Sequence, residues 1–433
     1  MTYPEAVARL LGLRGGEMAG MRPGQETIQA LLDAVGNPER RLRLVQVGGT
    51  NGKGSAAAML AAILTAAGLR VGLFTSPHLC SVRERIRVDG RCIGPDALAD
   101  GVDALGTLFV RFDASVFEAF TALAFDHFAA VDVDVAVLEV GLGGRLDATT
   151  VGRPEVSVLT RVDYDHQALL GDTLARIAWD KAHIIRSGVA VSARQAEEAE
   201  AVILTRAAAV GVPLFIEGRD LSVAVRARAL DGQRLDLAGP GWRIEAAPCA
   251  LLGVYQPSNA LVATAAARAL GADEAAVRRG LGAARWPGRF QVLPGSPPLI
   301  LDGAHNPGGA RALAESLRAY FPEQRIAFVL GMSTDKDLAG ILAPLLPLAA
   351  RVVFTASPNP RAADPAVLRD LALHLGGLPA EHVLTAADPA AAVARARAGG
   401  DAPVCVAGSL YLVGKVLAPR PEDAEALCLS PAG

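Results

Sequence analysis

Short β-branched runs alternate with alanine-rich stretches along most of this chain, and the two patterns predict different elements. LRLVQV, VGLFTS, VDVAVLEV and VSVLT read as buried strands, since apolar side chains fill consecutive positions in them. Residues 53–67 and 173–185 read as helices. A second series begins at about Leu299, with LILDGA, a helix after Pro307, IAFVLGMS, RVVFTAS and VCVAGS. Such alternation predicts an α/β fold with a mainly parallel sheet covered by helices, followed by a second, smaller α/β domain. Residues 217–250 break the pattern with polar and apolar positions between Gly and Pro turns, while Pro and Gly also cluster from Gln291 to Pro298. The predicted domains are therefore 1–290 and 291–433, and from Arg420 on the chain reads as a frayed tail.

Composition narrows the classes. At 433 residues the chain is long enough for two ordinary cores, with 51% hydrophobic and 20% charged residues. The net charge is only -3 and the arginines are scattered among Asp and Glu, which argues against a nucleic-acid partner. Cys80, Cys92, Cys249, Cys405 and Cys428 are isolated and odd in number, so neither a disulfide framework nor a zinc site is expected. No apolar run reaches the roughly 18 residues of a membrane span, and the first residues show no leader pattern. The expectation is a cytoplasmic protein without a membrane partner.

The strongest local signal is VQVGGTNGKGSAAAMLAAIL, where a buried strand runs through Gly48, Gly49, Thr50, Asn51, Gly52, Lys53, Gly54 and Ser55 into a helix. Glycines let a backbone curl so that its N–H groups face phosphate oxygens, and the helix N-terminus adds a fixed positive end. Lys53 is placed to reach the outer phosphates of a nucleotide, and Ser55 to offer a hydroxyl to phosphate or magnesium. The spacing is a variant of the strict GxxxxGK[ST] loop, because Val47 stands where its first Gly would be and Gly54 separates Lys53 from Ser55.

Strand ends supply the remaining candidates, since open α/β sheets bind ligands at their carboxyl edge. Glu139 ends VDVAVLEV before GLGGRLD and is the best carboxylate for magnesium, an ion that wants few protein oxygens. His166 follows VSVLTRVDYD, flanked by Asp163 and Asp165; a metal role and a structural one are both open to it. Ser76, before Pro77, reads locally as a turn residue, and Lys181 as an ordinary helix lysine.

Taken in order, GTNGKGS, FTSPHL, ERIRVDG, FEAFTALAF, EVGLGGRLDAT, DHQALLGDT, YQPSNA, PGRFQ, LDGAHNP and GMSTDKDL resemble the folylpolyglutamate synthase and dihydrofolate synthase family, from about Gly24 to Leu412. The resemblance extends more distantly to the Mur ligases. It implies a P-loop domain followed by a Rossmann-like one, with ATP and magnesium as cofactors and dihydropteroate, folates and L-glutamate as substrates. By it, Gly49 to Ser55 hold the ATP phosphates, Ser76, Glu139 and His166 bind magnesium, and Asn259, Arg289 and Asp302 make further nucleotide contacts. His305, a candidate base, and Ser409 fall near the glutamate. Lys181 stands where the family carries a carbamylated lysine; Ser115, Phe117 and Glu118 with Leu146, Asp147 and Ala148 match the pterin-side segments. Relatives are usually monomers.

The chain departs from the pattern in three places. The family's EKAGI is DKAHI here, with His183 for a small Gly; DATN has become DAT and Thr150; and Gly24, Gln25, Glu26 and Thr27 lack the usual Arg near the pterin. Two rival readings follow, a Mur-like ligase for another carboxylate and a nucleotide-binding module without catalysis.

Overall fold

The computed structural model describes residues 1–16 and 24–429. The first lobe is built on an eight-stranded sheet whose order, by residues, is Arg91–Cys92, Ile86–Val88, Val71–Phe74, Val135–Glu139, Arg43–Gly48, Pro154–Leu159, Val189–Ser192 and Leu214–Ile216. Six of these strands run parallel, and the hairpin Ile86–Val88 with Arg91–Cys92 adds an antiparallel edge that the sequence pattern does not announce. Val47 pairs with Glu139 and Gly48 with Leu159, so the loop after Gly48 and the acid Glu139 leave the sheet at the same edge. Parallel pairing makes that coincidence obligatory once the register is set.

The helix Lys53–Ala66 is buried on nearly all sides, because its many alanines let it lie between the sheet and the helices Gln256–Ala269 and Glu274–Ala283. Residues 217–250 resolve into a three-stranded antiparallel sheet, Ser222–Ala229, Gly232–Gly239 and Trp242–Cys249. Leu235, Leu237, Ile244 and Ala247 turn one face of it into the same core.

The second lobe's sheet begins with Gln291–Leu293 and runs in the order Gln291–Leu293, Leu299–Leu301, Val404–Ala407, Ile326–Leu330, Ala349–Phe354, Val383–Thr385. Only its first strand is antiparallel. The chain is thus an α/β protein of two mainly parallel sheets, the second smaller than the first.

One expectation fails. Most of the supposed tail from Arg420 is the helix Pro421–Leu429, lying on the first lobe; residues 430–433 fall outside the described residues. The buried Arg83 pairs with Glu425, which also accepts bonds from Ser81 Oγ at 3.2 Å and Tyr3 Oη at 3.3 Å. These partners lie more than 340 positions away along the chain, so local pattern could not reveal them. Among the described residues no helix is long and apolar enough to cross a membrane.

Candidate active site

The loop after Gly48 is shaped by what packs beneath it. At Gly52, whose φ is 94°, a Cβ would lie 2.4 Å from Asn259 Oδ1; at Gly49, with φ 133°, it would lie 2.0 Å from Thr160 Oγ1. Only glycine meets both demands. The N–H groups of Thr50 and Asn51 go to the carbonyl of Arg161, at 2.9 and 3.4 Å, and Thr50 Oγ donates to the carbonyl of Asp163 at 2.9 Å. The loop is thereby tied to the segment that carries His166, and the backbone donors it leaves available to an anion are those at the start of the helix from Lys53. Ser55 is buried, and its hydroxyl accepts from Gln256 Nε2 at 3.3 Å, while Gln256 Oε1 accepts from Asn259 Nδ2 at 3.0 Å.

Two ammonium groups converge on one carbonyl. Lys53 Nζ reaches Gly49 O at 3.3 Å and Thr50 O at 3.1 Å, and Lys181 Nζ reaches Gly49 O at 2.9 Å. Lys181 is not the solvent-facing helix lysine of the local reading. Its side chain is buried, and burial with repulsion from Lys53 pulls it down to about 7 from the ordinary 10.5. His183, the bulky replacement at the end of the same helix, turns away: its Nδ1 lies 2.6 Å from Trp179 O and its ring stands edge-on to Trp179 at 4.4 Å. It leaves the amine of Lys181 undisturbed.

Glu139 is buried and accepts the Ser76 N–H at 3.0 Å, which puts two of the predicted ligands side by side. Burial raises its carboxyl above the usual range, against the pull of Lys53, the Ser76 N–H and Arg289. His166, in a left-handed conformation with φ 51°, is lowered by burial and by Lys336, Lys181 and Lys53, while Asp165 opposes them. Ser76, Glu139, His166, Lys53 and Lys181 therefore share one electrostatic neighbourhood.

The second lobe closes over this edge. Asp165 accepts Asn306 Nδ2 at 3.0 Å and Lys336 Nζ at 3.2 Å; Asn306 Nδ2 also reaches Asn51 Oδ1 at 3.2 Å. Although burial works against it, the charge of Asp165 is held well below the usual range by His166, Lys336 and His305. His305 Nδ1 lies 2.8 Å from the carbonyl of Gly303, and burial drops its imidazole to about 4. A neutral ring beside a carbonyl must donate from Nδ1, leaving Nε2 as a free acceptor. Asp302 accepts from Phe290 N and Ala304 N at 2.8 Å and from Tyr255 Oη at 3.0 Å, and Arg289 lowers the carboxyl that burial raises. Ser409 is buried and joined to Ser357 by a 2.7 Å hydroxyl pair. A narrow cleft between the lobes is lined by Thr75, Pro77, Leu79, Arg87, Trp286 and Arg289.

The pterin-side candidates are a separate group. Ser115 and Glu118 close a capping box on the helix Val116–Ala130, with Ser115 Oγ donating to Glu118 Oε2 at 2.6 Å. The Ser115 hydroxyl and Glu118 Oε2 are thereby engaged with one another. Phe117 lies against Gly141 and stands 5.8 Å from the ring of Phe74. Asp147, on the loop with Leu146 and Ala148, accepts from Leu142 N at 2.9 Å and Thr149 N at 3.0 Å, and burial raises it. Gln25 donates to the carbonyls of Asp147 at 3.0 Å and Thr150 at 2.6 Å, so the altered N-terminal motif still braces this loop. The pattern overlooked Gln256, Asn306 and Lys336. Each sits inside a motif already singled out, YQPSNA, LDGAHNP or GMSTDKDL, but its partner lies on another element.

Comparison with known proteins supplies the family. Residues 288–410 match the Mur ligase, glutamate ligase domain family. A Halobacterium salinarum protein described as a probable bifunctional folylpolyglutamate synthase/dihydropteroate synthase is 40% identical over 423 residues; the match takes in 95% of this chain and 51% of the relative, about half its length. The folylpolyglutamate synthase of Lacticaseibacillus casei is 36% identical over 431 residues, 96% of this chain and 98% of its own. A solved Mycobacterium tuberculosis folylpolyglutamate synthase, complexed with ADP, superposes with a TM-score of 0.89 at 34% identity, covering 98% of this chain and 99% of that one. With its two-lobed α/β architecture, its glycine loop and a relative and a solved structure matched nearly from end to end, this chain belongs to the folylpolyglutamate synthase/dihydrofolate synthase family.

Proposed function

We propose that this chain is an ATP- and magnesium-dependent ligase that joins L-glutamate to dihydropteroate and to folates through an acyl phosphate, working as a monomer in the cytoplasm. One observation carries the reading: Lys53 and Lys181 converge on the Gly49 carbonyl at the edge where Glu139 accepts the Ser76 N–H, and Asn306 and Lys336 of the second lobe hold Asp165 beside His166.

A carboxylate is a poor electrophile, so its oxygen must first be made a leaving group by transfer of the γ-phosphoryl group of ATP. Lys53 and Arg289 neutralise charge on the moving phosphoryl, and the N–H groups that open the helix Lys53–Ala66 orient it. Ser76, Glu139 and His166 offer a hydroxyl, a buried carboxylate and an imidazole. Among the described residues no three His, Cys, Asp or Glu side chains gather to hold a metal alone, which fits magnesium, an ion that takes its other ligands from water and phosphate. Held there, magnesium supplies further charge neutralisation on the phosphates. A Lys181 amine held down to about 7 has a substantial neutral fraction near pH 7 and in that form can add carbon dioxide, becoming a carbamate and releasing a proton; its burial supports that modification. His305, the candidate base, is neutral with Nε2 as its accepting nitrogen, so it can orient the glutamate amine by accepting its hydrogen, although an imidazole held down to about 4 binds a proton weakly. Closure of the lobes keeps water from the acyl phosphate. Asn259 and Asp302 bound the nucleotide side of the cleft, Ser409 the glutamate side, and Ser115 to Glu118 with Leu146 to Ala148 the pterin side.

A second reading, a synthase for folates alone, is favoured by the capping box that engages Ser115 and Glu118 and by Thr27 where relatives carry Arg. The test is phosphate release from ATP with magnesium and glutamate while only the pterin substrate is varied. Release with dihydropteroate and with tetrahydrofolate supports both activities; release with neither sinks the folate reading in favour of a Mur-like ligase or a module without catalysis.

A further inference from the structure

Ser409 is the N-cap of the helix Leu410–Leu417, where a serine hydroxyl commonly accepts a bond from the first turn, yet its side chain makes no cap bond. It follows the strand Val404–Ala407, and the N–H of Gly408 donates to the carbonyl of Ala304 at 2.9 Å, which holds Ser409 beside the segment of His305.

What reaches Ser409 instead is a chain of hydrogen bonds with a single sense. The backbone N–H of Arg361 donates to Asn359 at 2.8 Å, and since an N–H can only donate, the atom facing it is the amide oxygen Oδ1. The amide nitrogen is thereby fixed on the other side, where Nδ2 donates to Ser357 Oγ at 2.9 Å. Ser357 in turn gives its proton to Ser409 Oγ at 2.7 Å. Ser409 accepts there, and among the described residues its own proton has no acceptor. Both serines are buried. The loop that carries the chain is itself held: Thr334 N donates to Arg361 O and Ala363 N to Met332 O, each at 2.8 Å, and Arg361 pairs with Asp335 at 2.9 Å. These bonds fasten it to the segment of Lys336.

We propose that Ser357 and Asn359 are positioning residues that aim the Ser409 proton at a carboxylate of the incoming L-glutamate, an inference that rests on the ligase reading above. An ionised carboxylate only accepts, so it is held best by donors already turned towards it. A lone hydroxyl rotates, whereas one whose lone pair is taken by Ser357 must point its proton elsewhere, and that orientation is set before the substrate arrives. Both residues act through Ser409.

The test is steady-state phosphate release by the full chain with ATP and magnesium, using whichever pterin substrate supports release and varying L-glutamate. Ser357→Ala should raise KM for glutamate by about tenfold while KM for ATP and for the pterin stay within about twofold. Asn359→Asp, whose carboxylate accepts the Ser357 proton and turns the chain around, should do as much or more. Combined with Ser409→Ala, Ser357→Ala should add nothing to the effect of Ser409→Ala alone, because it works only through that hydroxyl. Equal rises in all three KM values, or effects of the two serines that multiply, overturn the relay. Asn359 is only half-buried, so Asn359→Asp carries the test should Ser357→Ala fail to fold. A wild-type chain without glutamate-dependent release removes the ligase reading and the relay with it; a wild type that turns over beside variants of unchanged KM for glutamate removes the relay alone.

Discussion

Two buried carboxylates flank the cleft, and they differ in how much of their hydrogen-bonding capacity the protein itself uses. Asp302 accepts from Phe290 N, Ala304 N and Tyr255 Oη and lies against Arg289; Glu139 accepts from Ser76 N and faces the charges of Lys53 and Arg289. Burial raises both acids. The first is spent on joining the linker after Gly288 to the second sheet, whereas the second keeps acceptor capacity at a charged edge. A buried acid with its partners filled holds structure together; one left short of partners is available to a ligand.

Mutations can break this contrast. The largest effect is expected from Lys53→Ala, which should cut ATP-dependent phosphate release by on the order of a thousandfold with the melting temperature little changed; near-normal release would remove the loop from the reaction. Next, Glu139→Gln should lower turnover by about a hundredfold while stability holds or rises, since a buried charge is removed. Asp302→Asn should do the reverse, costing about 1 to 3 kcal/mol in denaturant melts because donors lose their acceptor. If Glu139→Gln destabilises and Asp302→Asn does not, the assignment of the two acids is inverted.

Lys181→Met probes the same edge through pH. The amine binds its proton near pH 7 in the folded chain and near 10.5 when unfolded, so its burial is most destabilising below pH 7 and the cost fades as pH rises towards 10.5. Without carbon dioxide, the variant should therefore gain about 1 to 4 kcal/mol at low pH, with the gain shrinking across that window; a gain independent of pH would mean the amine is not depressed. The smallest effect belongs to His183→Gly, which should leave turnover within about twofold, because the ring faces Trp179. A larger loss would show that the replacement beside Lys181 shapes the site.

Much of this was legible beforehand for reasons that can be named. Buried parallel strands fill consecutive positions with β-branched residues, and a glycine loop entering a helix with Lys at its start has few other uses. Glu139 stood out because a charged residue ending an apolar strand needs a partner. Lys181 did not, since its burial comes from Gly144, Gly49 and the loop above it and leaves no trace in DKAHI. The C-terminal helix escaped for a similar reason, its anchor being an arginine on the far lobe.

The sequence by itself determined the central strands of the two parallel sheets, the phosphate loop and the order of motifs that marks the family, because those follow from local spacing and from side-chain chemistry. Only the tertiary structure decided which groups share a neighbourhood: that Lys181 and Lys53 compete for one carbonyl, that Asp302 is filled while Glu139 keeps capacity, and that Glu425 meets Arg83. Electrostatics and hydrogen-bond satisfaction depend on distance and burial in space, and neither is a property of neighbours along the chain.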